Sequence, residues 1–154
     1  SESVHRIPTD GDPVEAASRY ARDLRGSYEE RYGGTGDLVS GKPLFDVVLL
    51  GLGENGHTAS LFPRTDVLQV EDAWVGTCVP DDAPDTRITL TYPAIRSSGA
   101  VLFLVTGKGK APVVAKVREK DPEQPSSRIA SEGELIWVLD EEAASAVRPG
   151  TGDE

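Results

Sequence analysis

His57 is the residue with the greatest chemical reach in this sequence, and it lies in the stretch Gly51-Leu52-Gly53-Glu54-Asn55-Gly56-His57-Thr58-Ala59-Ser60-Leu61-Phe62-Pro63. An imidazole, with its ordinary pKa near 6.5, is the one side-chain type here that can take a proton from water at neutral pH. Three glycines precede it in the spacing G-x-G-x-x-G. They allow close backbone approach to a ligand, and N–H groups beyond them suit an anion or an oxyanion. A general base beside an anion cradle is therefore one chemistry the stretch offers. A histidine that caps a turn or bonds a backbone carbonyl is the other, and residue types alone fit both equally. The same spacing matches the dinucleotide fingerprint. However, Pro63 interrupts whatever helix follows, and no strand end carries an acid near Glu71 or Asp72.

The second candidate is Thr106-Gly107-Lys108-Gly109-Lys110, another glycine turn after an apolar run. Val101 to Lys120 holds five bases and one acid, whereas Asp121 to Glu154 holds nine acids and two arginines. A basic cluster in an acidic chain fits a small anion, and it equally fits a solvated helix face. Arg87 opens the β-rich run Arg87-Ile88-Thr89-Leu90-Thr91, where the residues by themselves suggest a strand-edge ion pair with Asp82 or Asp85. Cys78, Trp74 and Trp137 sit in strand-like runs and read as core, and His5 reads as surface. No spacing of Asp, Glu and His suggests a metal site, and the chemistry above needs no cofactor.

These residues need elements to position them. Asp12 as N-cap, Pro13 at the first helical position and Glu15 closing a capping box predict a helix that ends near Tyr32, before Gly33-Gly34. Gly33 to Pro43 reads as a surface loop. Phe45 to Leu50, apolar on both faces apart from Asp46, predicts a central parallel strand. Thr58 to Phe62 predicts a short helix. Trp74 to Val79 and Arg87 to Thr91 predict strands, and a short helix from Pro93 ends at Ser97-Ser98-Gly99. Val101 to Val105 predicts a buried strand, followed by a helix to about Lys120 with Val113, Val114 and Val117 on one face. Leu135 to Leu139 predicts the last strand and Glu141 to Val147 the last helix. Residues 148–154 read as a frayed tail. Strands alternating with helices predict an α/β fold, a Rossmann-like and mostly parallel sheet flanked by helices. Both glycine turns then open at the carboxyl ends of the strands, where such sheets bind ligands.

At 154 residues the chain suits one domain, and 38% hydrophobic with 27% charged residues are globular values. The formal net charge of −10 argues against nucleic acid or an anionic membrane as partner. No apolar run is long enough to span a bilayer. A lone cysteine and the absence of a leader-like N-terminus fit a cytoplasmic location.

Taken together, Gly51–Pro63 resembles the signature of the 6-phosphogluconolactonases, within the wider glucosamine-6-phosphate isomerase/deaminase superfamily. Val4-His5-Arg6-Ile7-Pro8-Thr9-Asp10, Phe45–Gly51, Thr86–Ile95, Val101–Ala111 and Leu135–Ala144 resemble further family blocks in the same order. The resemblance implies hydrolysis of 6-phospho-D-glucono-1,5-lactone, with His57 as general base and Asn55 beside it. It also implies that Lys110 and Arg87 hold the substrate phosphate while Gly53 and Gly56 line the substrate site. The family usually carries aspartate where Asn55 stands. Leu61-Phe62-Pro63 favours the lactonase branch over the deaminases, and a non-catalytic sugar-phosphate sensor is the reading from another class. The family domain begins with a phosphate loop that has no counterpart here. The chain is thus expected to be a single but partial domain, exposing sheet edge and apolar surface. Its partners are expected to be the phosphorylated lactone and the N-terminal portion of its own domain, and these residues alone are expected to turn over little.

Overall fold

The computed structural model describes residues 4–34, 38–39 and 41–147. The expected tail at 148–154 lies outside the described residues, as does part of the loop after Gly34. Helix α1 spans Pro13–Tyr32. The Asp12 carboxylate accepts the N–H groups of Val14 and Glu15, both at 3.0 Å, and so satisfies two of the four donors that a helix start leaves open. Gly33, with φ of 71°, ends the helix.

Strands β1 (Phe45–Leu50), β4 (Ser98–Val105) and β5 (Glu134–Leu139) form a parallel sheet in the order β1-β4-β5. Between β1 and β4 come β2 (Val75–Cys78), β3 (Arg87–Leu90) and the short helix α2 (Tyr92–Arg96). Helices α3 (Ala111–Arg118) and α4 (Glu141–Ala144) follow β4 and β5. The α/β class and the parallel sheet flanked by helices are as expected.

Four local expectations are corrected. β1 is an outer strand of the described sheet and β4 is the central one. An apolar run on both faces does not say whether a strand is paired on both edges. β2 and β3 do not join the parallel sheet. They are short and linked by a loop, so they pair antiparallel with each other, Cys78 opposite Arg87 and Val75 opposite Leu90. Thr58 to Phe62 is a turn rather than a helix, with Ala59 at φ 49° and a single bridge from Thr58 to Leu61. Side-chain bonds to neighbouring elements capture it there. Finally, β4 begins at Ser98. A Cβ on Gly99 would lie 2.8 Å from the Asp46 carbonyl oxygen, so this glycine permits close strand approach instead of breaking the strand.

The alternating faces of the sheet differ in environment. Val48, Leu50, Val101, Phe103 and Val105 point into the main core, against Leu61, Ile95, Val113, Val114 and Val117. Phe103 stacks on Trp137 with ring centroids 3.9 Å apart. A second cluster packs α1 on the hairpin through Tyr20, Leu24 and Tyr28 against Trp74 and Val75. Val47, Leu49, Leu104, Ile136 and Val138 point the other way, and Leu49 is 63% exposed and Leu104 51%. One face of this parallel sheet is thus apolar and uncovered in the described residues, as expected. No helix is long and apolar enough to cross a membrane among the described residues.

For residues 1–154, Phe103→Ala should cost about 3–5 kcal/mol of unfolding free energy, because Phe103 is fully buried. Leu49→Gln and Leu104→Gln should each change it by no more than about 0.5 kcal/mol in denaturant melts. A loss from either polar substitution comparable to that of Phe103→Ala would contradict an open sheet face.

Candidate active site

The chain leaves β1 at Gly51 and closes a compact loop on itself. The Gly53 N–H donates to the His57 carbonyl at 2.8 Å, and the Gly56 N–H donates to the Gly53 carbonyl at 2.9 Å. The Thr58 hydroxyl donates to the Gly51 carbonyl at 2.8 Å, tying the far side of the loop to the strand end. The N–H groups of Gly53 and Gly56 are thus used within the loop. What the glycines provide is room. A Cβ on Gly53 would fall 2.1 Å from Nδ1 and Cε1 of His57, so the imidazole occupies the space a side chain would need.

The ring is fixed by two further residues. Phe62 stacks on it with centroids 4.2 Å apart and an interplanar angle of 21°. Asn55 Oδ1 accepts the His57 backbone N–H at 3.2 Å and lies 2.5 Å from ring Nδ1. A backbone N–H can only donate, so the Asn55 atom facing it is the amide oxygen, which has no proton to give. Nδ1 therefore carries the hydrogen, and Nε2 keeps its lone pair. Burial lowers the His57 pKa below its ordinary 6.5, the Lys110 ammonium lowers it further, and Asp82 opposes them. The result is a neutral, oriented imidazole near pH 7, the protonation state a general base needs.

Lys110 comes from the second glycine turn. Both carboxylate oxygens of Asp140 accept the Gly107 N–H, at 3.1 and 2.9 Å, and Asp140 also caps α4 through the Ala143 N–H at 2.7 Å. The Lys110 N–H closes the turn on the Gly107 carbonyl at 3.0 Å. A Cβ on Gly109 would lie 3.2 Å from Glu54 Oε1, so the two glycine loops touch.

Arg87 lies elsewhere, at the exposed start of β3. Thr89, on the same face of that strand, accepts the Ser60 N–H at 3.1 Å, and the Cys78 thiol opposite Arg87 donates to the Ser60 carbonyl at 3.0 Å. The hairpin therefore abuts the histidine loop. The Arg87 charge acts on Cys78, partly offsetting the rise that burial imposes on the thiol. Among the described residues no ion pair links Arg87 to Asp82 or Asp85, and no hydrogen bond joins it to His57 or Lys110. The structure thus brings Gly53, Asn55, Gly56, His57 and Lys110 together and leaves Arg87 on the neighbouring element.

Three contributors were not singled out from sequence. Gln124 packs on Gly56 so closely that a Cβ there would lie 2.2 Å from its Oε1, and Gly56 holds φ 81°. The Ser126 N–H and hydroxyl both donate to the Gly56 carbonyl, at 3.0 and 2.7 Å. Asp140 was readable as a helix cap, but Gln124 and Ser126 lie some seventy residues from the loop and carry no local signal. A cavity of about 400 Å³ opens beside Asn55 and Phe62 and is also lined by Pro63, Asp82 and Gln124. Among the described residues no three His, Cys, Asp or Glu side chains converge as a metal site requires.

The profile of the family described as glucosamine-6-phosphate isomerases/6-phosphogluconolactonase matches residues 1–137. A 6-phosphogluconolactonase of Nostoc sp. is 39% identical over 149 residues, covering 94% of this chain and 58% of that protein. The Homo sapiens 6-phosphogluconolactonase is 38% identical over 137 residues, 86% of this chain and 50% of that protein. The crystal structure of the Thermotoga maritima 6-phosphogluconolactonase superposes with a TM-score of 0.71 at 28% identity, over 90% of this chain and 56% of that one. The chain therefore spans between half and three fifths of the length of these relatives.

Followed by NMR, the His57 ring should titrate with a midpoint below 6.5, the ordinary value from which burial and Lys110 displace it. Lys110→Gln removes the opposing cation and should raise the midpoint toward 6.5, whereas Asp82→Asn should lower it. A midpoint above 6.5 in the unsubstituted protein, or one indifferent to Lys110→Gln, would contradict this electrostatic picture.

Proposed function

Because this chain belongs to the glucosamine-6-phosphate isomerase/6-phosphogluconolactonase family, we propose that it carries the water-activating side of a 6-phosphogluconolactonase site. The observation that carries the reading is the Asn55–His57 contact at 2.5 Å, which leaves Nε2 as the basic nitrogen of a neutral ring. The substrate is 6-phospho-D-glucono-1,5-lactone. Nε2 takes a proton from water as the water oxygen adds to the lactone carbonyl carbon. When the tetrahedral adduct collapses, the bond from that carbon to the ring oxygen breaks. The leaving oxygen receives the proton from the imidazolium, which gives 6-phosphogluconate and restores neutral His57.

Asn55 acts by orientation alone, since an amide brings no charge to the imidazolium. Gly53 and Gly56 shape the loop around the ring. Lys110 contacts the substrate phosphate, with Arg87 of the neighbouring hairpin as a second cation. Two cations suit a phosphomonoester dianion. Residues 1–154 act as a single, partial domain in the cytoplasm. Polypeptide of the kind that fills the remaining length of the relatives covers the sheet face of Leu49 and Leu104 and adds the rest of the phosphate site.

His57→Ala in the complete protein should lower lactone turnover by about 10²–10⁴ after correction for spontaneous hydrolysis. Binding of 6-phosphogluconate should stay near normal, because the phosphate contacts are untouched. Turnover that survives the substitution would remove His57 from the mechanism.

A further inference from the structure

We propose that Ser126 is a positioning residue for His57, aligning the imidazole by fixing the peptide plane that precedes it. The inference rests on the reading of His57 as the base. That plane joins the Gly56 carbonyl to the His57 N–H, and it is held at both ends. On the oxygen side Ser126 donates twice, from its N–H at 3.0 Å and its hydroxyl at 2.7 Å. On the nitrogen side the His57 N–H donates to Asn55 Oδ1, the same atom that meets ring Nδ1. A displacement of the plane would carry the His57 Cα with it and pull the backbone N–H and the ring out of register with their shared acceptor.

Ser126 is itself held firmly. It is 2% exposed, so water does not compete for its hydroxyl. It lies in the turn Pro125–Arg128. The Pro125 carbonyl accepts the Tyr92 hydroxyl at 2.8 Å, and the Arg128 guanidinium lies over the Tyr92 ring at 4.5 Å. Gln124 fills the space against Gly56 that a side chain would take, which brings the Ser126 turn within reach of the carbonyl. Ser127, one residue on, bonds back to the carbonyls of Gln124 and Asp121, and among the described residues it makes no hydrogen bond to the histidine loop. It is the natural control.

The test uses Ser126→Ala, Ser126→Cys and Ser127→Ala in the complete protein. Ser126→Ala keeps the backbone donor and removes only the hydroxyl. It should lower kcat by about tenfold with KM changed by less than about twofold, as expected for a catalytic group displaced by a fraction of an ångström. The loosened loop should also raise the His57 midpoint toward 6.5, since burial is the main cause holding it down. Lys110 and Asp82, the charges that act on the ring, and Glu54 beside Gly109 are unchanged in all three variants. Ser126→Cys has nearly the same shape and a weaker donor. It should shift both readouts in the same direction to a smaller extent, and it serves if the alanine variant does not fold. Ser127→Ala should leave both readouts unmoved even where it lowers the melting temperature. Ser126 variants with wild-type kcat and an unmoved His57 titration would overturn the proposal. So would a Ser127→Ala variant that reproduces the Ser126→Ala effect. Because the ring titration does not depend on turnover, a displaced imidazole in a protein that tolerates His57→Ala would sink the base assignment alone.

Discussion

The site depends on the parallel register of three strands. Leu50 of β1 stands opposite Phe103 of β4, and Val105 of β4 stands opposite Leu139 of β5. Because the strands run the same way, the chain leaves each of them at one edge of the sheet. The histidine loop, the Gly107–Lys110 turn and Asp140 are therefore delivered to the same place from three distant parts of the sequence. Phe103, Val101 and Val105 hold that register from beneath, buried against α3. A one-residue slip would turn these side chains to the open face and part the two glycine loops.

On this edge the loops hold one another more than they expose donors. Asp140 holds Gly107, Glu54 rests against Gly109, and Ser126 holds Gly56. The electrostatics follow from the same crowding. Burial and a nearby ammonium keep His57 neutral while Asn55 decides which nitrogen carries the proton. A neutral amide in that position orients the ring without raising its basicity, so the imidazole stays neutral near neutral pH and lacks the charge that would stabilise its protonated form. Asp82 supplies part of that charge from another loop.

Much of this was legible in the sequence, and the limits have physical causes. Asp12 and Pro13 announced α1, and the valines at 113, 114 and 117 announced the buried face of α3, because capping and helical periodicity are local. The glycine turns could be placed at one sheet edge because parallel strands share a direction. The failures were non-local. Thr58–Phe62 has helix-compatible residues, but Thr58 bonds the Gly51 carbonyl and Ser60 bonds Thr89, and these contacts set its conformation. The N–H groups of Gly53 and Gly56 close the loop and their missing side chains leave space for His57 and Gln124, pairings that the glycine spacing does not announce. Ser126 has no sequence signal, since its importance comes only from where the turn at Pro125 meets the loop.

The central claim is that the loop holds His57 neutral with its proton on Nδ1 and its lone pair on Nε2. Nitrogen-15 correlation spectra of the His57 ring near pH 7.5 test this directly, because protonated and bare ring nitrogens resonate far apart. The account predicts a protonated Nδ1 and a bare Nε2, with the pattern lost on Asn55→Ala. A ring protonated on Nε2, or one sampling both tautomers freely in the unsubstituted protein, would contradict it.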